Sequence, residues 1–498
     1  MSLLIKGGDI VDGSGGAPKK GDVLLIGNKI AAIGNLASYK AEKTVSASGC
    51  FVVPGFIDMA SEADRHLSIL SDRKSEELLL QGITTIIGGG GGVSLAPLLY
   101  GSLESFSPWS KWESINIGWH SMADLMNILD SKKNNINFAS FVGYDSLKKS
   151  LSKKKRGLSK NESQIMTHII STAIKDGALG ISLSSEDSIS EDMSEDEKQA
   201  LKFLFHSEKI MLSIDLPPYL KKTSETVENI IKWANFGVPI LIQNFSNVSA
   251  SEKELLKSFN LLENATVLSR VIASACPLGF NELSLLSIMP PATWSEDPKQ
   301  MSLNILKKRN STTIEKNWPK EKLSNLWIVD SPKANFLVGK KVSDFANNRG
   351  IGVSECFSKI VEITSGRVSF CTEVQRDNLF EKIILHPRVT IESGAYGLIA
   401  KKSDFHRNLN NAFGLFLEIA NRAGINIEKS IMKTSSLPAI ACGLGERGLI
   451  EEGFSADIVI MKDRCPSWVF VNGVETVREG ELTDGGGGKV IKKHVQRI

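Results

Sequence analysis

The sequence predicts an α/β fold: parallel strand–helix units, closed as a barrel or opened as a doubly wound sheet, beside a small β-domain built from both ends of the chain. Three observations predict it. Short β-rich apolar runs recur through the middle of the chain. Segments with helical patterning separate most of them. Hairpin-like texture is confined to the two ends. At 498 residues, 42% hydrophobic and 23% charged, the chain is long enough for a large core.

Residues 3–33 read as short strands with turns, because "LLIKGGDIVDGSG" and "GDVLLIGNKIAAIG" set Gly, Asn and Asp between β-branched runs. The texture returns in "GFSADIVIM" and "SWVFVNGVETVREGEL", with Asn472-Gly473 as a hairpin turn. A hairpin sheet at each end does not readily stand alone. Residues 1–55 and 438–498 are therefore expected to assemble one composite β-sandwich domain.

Between them, residues 56–437 alternate. The runs "GITTIIGG", "NFASFVG", "ALGISLS", "IMLSIDL", "PILIQNF" and "RVTIES" read as strands, and stretches such as Ser163 to Lys175 and Glu195 to Ser207 as helices. Eight such units with insertions would fit a barrel. The stretch of about 290–341 has Pro, Trp and charge without clean periodicity, and reads as an insertion at the barrel mouth.

Bulk chemistry excludes several classes. A net charge of +3 makes no electrostatic case for nucleic acid or an acidic membrane. The basic run Lys153-Lys154-Lys155-Arg156 reads as a solvated face. Six cysteines without a C-x-x-C pair argue against a disulfide framework or structural zinc, and fit a reducing cytoplasm. The first residues turn polar too quickly for a signal peptide, and no apolar run reaches the ~18 residues of a membrane span.

The ordered motifs add a resemblance. "VVPGFID" (52–58), "GITTIIGGGGGVSLAP" (82–97), "INFASFVGYDSL", "IKDGALGISLS", "ILHPRVTIESGAYG" and "LPAIACGLGERGLIEEGFSADIVIM" followed by "VFVNGV" together resemble the N-acyl-D-amino-acid deacylases (D-aminoacylases) of the amidohydrolase superfamily. The resemblance implies a TIM-type (β/α)8 barrel with a composite β-domain. It also implies a site at the C-terminal ends of the barrel strands, where a divalent metal activates water against an amide carbonyl.

Placed on that pattern, the chain departs from it at each chemical position. The His-x-His of the first strand falls on Ala60 and Glu62. The cysteine of the Gly-Asn-Cys-Gly loop falls on Gly91, and the later histidines on Ile214, beside Asp215, and on Asn244. The catalytic aspartate falls on Gly394, and the Val-Gly-His histidine is Tyr144. None of the seven histidines lies within one residue of a family ligand position. Conventional zinc-dependent deacylation is not expected, since removing one member of a catalytic set already costs a large part of the barrier lowering.

Three readings follow. The first is a pseudoenzyme: a ligand-binding or regulatory relative that takes a small molecule at the barrel mouth, or pairs with itself or an active relative. The second is a divergent hydrolase of N-acyl amino acid amide bonds with a site rebuilt on carboxylates such as Glu62 and Asp215. The third is an anion binder that uses the Gly88–Gly92 run as a backbone nest. The candidate pocket is Ala60, Glu62, Asp64, Gly91, Tyr144, Glu186, Asp215, Asn244 and Glu392. No cofactor is expected. Oxygen-only ligands would admit Mg or Mn, not Zn, and only if those carboxylates converge.

Overall fold

The computed structural model describes residues 2–493 apart from 66, 100–116, 153–156, 185–192, 217–222, 246–250, 265–269, 279, 284, 289–299, 301–302, 305–317, 332, 374–377 and 395–410. Glu186 and much of the expected insertion therefore lie outside the described residues.

The chain opens with five strands: β1 (Ser2–Ile10), β2 (Lys19–Ile26), β3 (Lys29–Gly34), β4 (Lys43–Ser46) and β5 (Phe51–Pro54). A run of parallel strands follows, comprising β6 (Phe56–Asp58), β7 (Ile83–Gly88), β8 (Asn137–Ser140), β9 (Val142–Gly143), β10 (Gly180–Ser184), β11 (Met211–Asp215), β12 (Ile240–Gln243) and β13 (Val271–Ala275). The strands β14 (Phe280–Leu283), β15 (Trp327–Asp330) and β16 (Ser369–Glu373) form a separate antiparallel sheet. The parallel series resumes at β17 (Val389–Ile391), which pairs with β13. Last come β18 (Ile458–Lys462), β19 (Cys465–Val471), β20 (Val474–Arg478) and β21 (Glu481–Leu482).

Taking β8 and β9 as one strand broken at Phe141, the described residues give eight barrel strands in sequence order, with parallel ladders along the series. Side chains meet across β17 and β6, where Thr390 Oγ1 donates to Met59 Sδ at 3.4 Å. This is a TIM-type α/β barrel with a flanking β-unit.

Alternation along each strand sorts two cores. Ile57, Met59, Ile87, Phe141, Met211, Leu241 and Ile272 pack together inside the ring. Leu212, Ile214, Ile240, Ile242, Val271 and Ala273 face outward, joined to the surrounding helices. Fully burying each such side chain is worth about 1.5–3 kcal/mol, so slipping a strand by one residue would exchange the two faces at high cost.

The helices start where the sequence supplies caps. Ser159 and Ser194 each cap a helix, Lys160–Asp176 and Glu195–Glu208, with Glu162 and Glu197 returning the bond as capping boxes. Met166, Ile170, Ala173 and Ile174 then recur at helical spacing on the buried face.

The termini join in one sheet. β18 pairs antiparallel with β5, and β5 pairs parallel with β1, so eight flanking strands form one hydrogen-bonded path and a ninth, β4, attaches to β1. Asn472 and Gly473 turn the β19–β20 hairpin at φ 49° and 77°, the two positive angles that a tight Asn-Gly turn requires. A buried polar network fastens this flank to the barrel. Asp457 accepts from Arg447, from Asn472 N at 2.7 Å and from Asn137 Nδ2 at 3.1 Å, and Asn472 Nδ2 donates to Asn137 Oδ1 at 2.6 Å.

The stretch read as an insertion at 290–341 contributes to a larger unit. Strands β14, β15 and β16 and three helices, Lys320–Ser324, Val342–Arg349 and Val353–Thr364, share their own core around Leu323, Ile328, Phe357 and Phe370.

Candidate functional site

The C-terminal ends of the barrel strands converge on a polar cavity of about 20 Å³, lined by Ala60, Ser61, Glu62, Asp64, Arg65, Gly90, Gly91, Asp215, Gln243 and Asn244. That is space on the scale of a water molecule.

Strand β6 ends at Asp58, and Asp58 turns the chain by accepting Ala60 N at 3.2 Å. Ala60 and Glu62 therefore reach the cavity from a turn, not from the strand face expected from i, i+2 alternation. Asp58 is fully buried, and its other oxygen accepts Ser393 Oγ at 2.5 Å. Burial pushes its carboxyl up to about 6 against those hydrogen bonds.

Asp64 sits under the glycine loop. Its Oδ2 accepts Gly89 N at 2.5 Å and its Oδ1 accepts Arg65 N at 2.9 Å. A Cβ at Gly88 would lie 2.7 Å from the Asp64 carboxyl carbon. Burial raises this carboxyl to about 6 as well. The glycine run thus wraps an anion that belongs to the protein: Gly89 N serves Asp64, and Gly92 N donates to Ser182 Oγ at 3.2 Å. The sequence reading of this run as a nest for an external anion does not match this use.

On β11, Ile214 is fully buried in the outer core and Asp215 turns inward, so the inward-facing position next to the expected ligand belongs to Asp215. Asn244 Nδ2 donates to Asp215 Oδ1 at 2.5 Å. Asn244 holds φ 58°, a left-handed conformation that Asn tolerates. Burial raises Asp215, with the Arg65 charge opposing.

Glu392 lies behind the cavity wall. Its Oε2 accepts Ser274 Oγ at 2.6 Å and Asn244 N at 3.5 Å, and among the described residues its buried Oε1 has no hydrogen-bond partner. Burial first, then the nearby Asp58 and Asp215 charges, push it up to about 8. Gly394 follows at φ 70° and offers no base.

Tyr144 does not join the mouth. It begins the helix Tyr144–Leu151, and its hydroxyl donates to Glu197 Oε1 at 2.7 Å in a different cavity between helices. A residue at the end of β9 could face the mouth, but a bulky phenol with a buried carboxylate behind it is held among the helices. The sequence reading missed Arg65, whose Nη1 lies 3.0 Å from Glu62 Oε1. The Glu-x-x-Arg spacing inside "SEADRHL" was the signal for it. It also missed Asp58 and Ser393, although both lie inside the quoted motifs "VVPGFID" and "ILHPRVTIESGAYG", and it missed Gln243 and Ser274.

With this geometry in view, the chain can be set beside known proteins. No protein-family model matches it. In sequence it is 32% identical over 187 residues to a D-aminoacylase of Alcaligenes xylosoxydans xylosoxydans, and 31% identical over 184 residues to an N-acyl-D-glutamate deacylase of the same organism. Each match covers 36% of this chain and 37% of the relative. In structure it superposes on a D-aminoacylase with a TM-score of 0.77 at 20% identity, covering 99% of both chains. It also superposes on an N-acyl-D-glutamate deacylase of Bordetella bronchiseptica, solved with zinc and a phosphonate inhibitor, with a TM-score of 0.78 at 19% identity, covering 98% of this chain and 99% of that one.

The chain has the fold of the D-aminoacylases and is similar to them in sequence over about a third of its length.

The matched sequence spans little more than a third of those relatives, so the likeness does not carry their activity across. The donor chemistry of the mouth is the sharper guide. A zinc site needs several N, S or O donors at fixed distances. Here Ala60 and Gly91 offer none, and a Cβ on Gly91 would lie 2.2 Å from Arg65 Nη2. Among the described residues, no three His, Cys, Asp or Glu side chains are grouped to hold a metal ion. The described histidine that resembles a family position, His386, sits at the opposite end of β17 from the mouth. There its Nδ1 accepts Arg388 N at 3.2 Å and its ring meets Phe259 edge-on. The residues present at the mouth do not fit the zinc of the D-aminoacylase family.

Proposed function

We propose that this D-aminoacylase relative is a pseudoenzyme: it does not hydrolyse N-acyl-D-amino acids, and its barrel serves as a binding or regulatory scaffold. One observation carries the reading. The family's base position is Gly394, and the carboxylates lining the mouth each accept from a donor of the protein itself: Asp64 from Gly89, Asp215 from Asn244 and Glu62 from Arg65. A general base needs an oxygen free to take a proton from water beside the scissile carbonyl. The narrowness of the cavity supports the same reading. The scaffold's partner would be a small molecule at the mouth, a second copy or an active relative, and neither nucleic acid nor a membrane. Among the described residues no helix is long and apolar enough to cross a membrane. The test is turnover of a panel of N-acyl-D- and N-acyl-L-amino acids by the purified protein with zinc, manganese or chelator. No hydrolysis above buffer is expected in any arm, and chelator-sensitive hydrolysis would overturn the reading.

A second reading has an observation of its own. Asp58 and Glu392 stand at about 6 and about 8, and carboxyls held apart in this way can divide acid and base roles. That reading makes the chain a metal-independent amide hydrolase with a carboxylate site that includes Glu62 and Asp215. It requires chelator-resistant turnover that Glu392→Gln and Asp215→Asn abolish.

A further inference from the structure

An acidic mouth whose residues do not fit zinc needs a cation from the protein's own side chains. We propose that the Arg65 guanidinium is a resident counter-ion, occupying the electrostatic place of a divalent metal at the barrel mouth and closing that mouth to metal ions. The inference takes its setting from the non-hydrolytic reading, but its test does not measure turnover.

Position comes first. Arg65 Nη1 lies 3.0 Å from Glu62 Oε1. A side-chain carbon placed on Gly91 would fall 2.2 Å from Arg65 Nη2 and 3.4 Å from Asp215 Oδ2. Guanidinium, Gly91 and the Asp215 carboxylate thus meet within a few ångströms, and the guanidinium fills room that any side chain at 91 would need. The glycine at the family's cysteine position and the arginine at the mouth are sterically matched.

The arginine is also delivered by a fixed turn. Asp64 accepts Arg65 N with one oxygen and Gly89 N with the other, pinning the root of the side chain to the loop its tip lies against.

Charge is the third strand. Glu62, Asp64 and Asp215 share the cavity wall, with Glu392 behind, where one buried carboxyl oxygen has no partner among the described residues. Among the described residues that line the cavity, Arg65 is the one cation. Arg65 lowers the proton affinity of both Asp64 and Asp215, against their burial. A guanidinium keeps its charge at every physiological pH, so this counter-ion is permanent. A dication binding the same carboxylates would meet it at short range, where like charges repel strongly in a partly buried site.

The experiment uses Arg65→Gln, Arg65→Ala and Arg65→Lys in the full chain. Melting temperature is followed with and without manganese chloride, and bound metal is counted after gel filtration. Manganese is the probe because oxygen donors favour it over zinc. Wild type and Arg65→Lys are expected to melt alike and to ignore manganese. Arg65→Gln and Arg65→Ala should melt roughly 2 °C or more lower, with manganese restoring the loss and copurifying with the variant. A folded Arg65→Gln that melts as wild type and gains no response to manganese overturns the proposal. So does a wild-type protein that manganese itself stabilises, which also decides the matter if the uncharged variants do not fold. Turnover without such a response would strike the functional reading and leave this one standing.

Discussion

Ser393 Oγ donates a 2.5 Å hydrogen bond to Asp58 Oδ2, joining the last barrel strand to the first across 335 residues of sequence. Both side chains are buried, so the bond ties β17 to β6 where, among the described residues, no backbone ladder joins them. Ser393→Ala should cost about 1–3 kcal/mol, because it leaves a buried carboxyl oxygen without its donor. The loss should be larger at pH 7.5 than at pH 5, since Asp58 is ionised above about 6. Urea unfolding at the two pH values measures it, and equal losses would show that the bond does not serve an ionised Asp58.

The buried carboxyls also fix a pH trend. Asp58 and Asp64 rise from 3.8 to about 6, and Glu392 from 4.5 to about 8. Between the ordinary and the raised value, each is protonated in the fold and ionised in the unfolded chain. The unfolded state then binds fewer protons, and stability falls as pH rises. The window is about pH 4 to 6 for the aspartates and extends to about 8 for Glu392. Lys433 acts in the opposite sense. Burial lowers it from 10.5 to about 7, so it adds stability as pH rises between those values. Glu392→Gln should flatten the fall between pH 6 and 8 and melt above wild type at pH 8. A variant with the wild-type pH profile would contradict this assignment.

The flank should depend on one ion pair. Asp457 and Arg447 are nearly buried, at 6% and 10% side-chain exposure, and Asp457 also holds Asn472 and Asn137. Asp457→Ala leaves the Arg447 charge without its partner, a loss of about 3–5 kcal/mol. Chemical denaturation measures it. Replacing an exposed pair such as Lys232–Glu228 should cost no more than about 1 kcal/mol in the same assay.

Within the glycine run, position decides cost. Gly91→Ala crowds the far end of a flexible arginine and reaches Asp215 Oδ2 at an ordinary contact distance of 3.4 Å, and its φ of 58° adds about 1–2 kcal/mol. Gly92→Ala would bring a Cβ to 1.7 Å from Asp145 Oδ2 and 2.9 Å from Ser184 N, at φ 77°. It should be the more damaging of the two by at least about 1 kcal/mol. Equal melting temperatures would mean that the loop is not packed as described.

The barrel was legible because alternation and capping are local. Ser159 with Glu162, Ser194 with Glu197, and Asn472-Gly473 each declare their element within four residues. The absence of family ligands at Ala60, Gly91 and Asn244 was legible for the same reason: identity is read directly. What replaced them was not. The bonds from Ser393 to Asp58 and from Ser274 to Glu392 span 335 and 118 residues, and no spacing rule connects such partners. Tyr144 shows the converse. Its place in a family motif suggested the mouth, but a phenol is satisfied by a buried acceptor, and Glu197 draws it among the helices.

The most direct measurement of the central claim is metal content and deacylase turnover on one preparation of the wild-type protein, expressed with zinc in the medium. The account predicts substoichiometric zinc after gel filtration and no hydrolysis of any N-acyl-D-amino acid above buffer. Stoichiometric zinc together with chelator-sensitive turnover would contradict it.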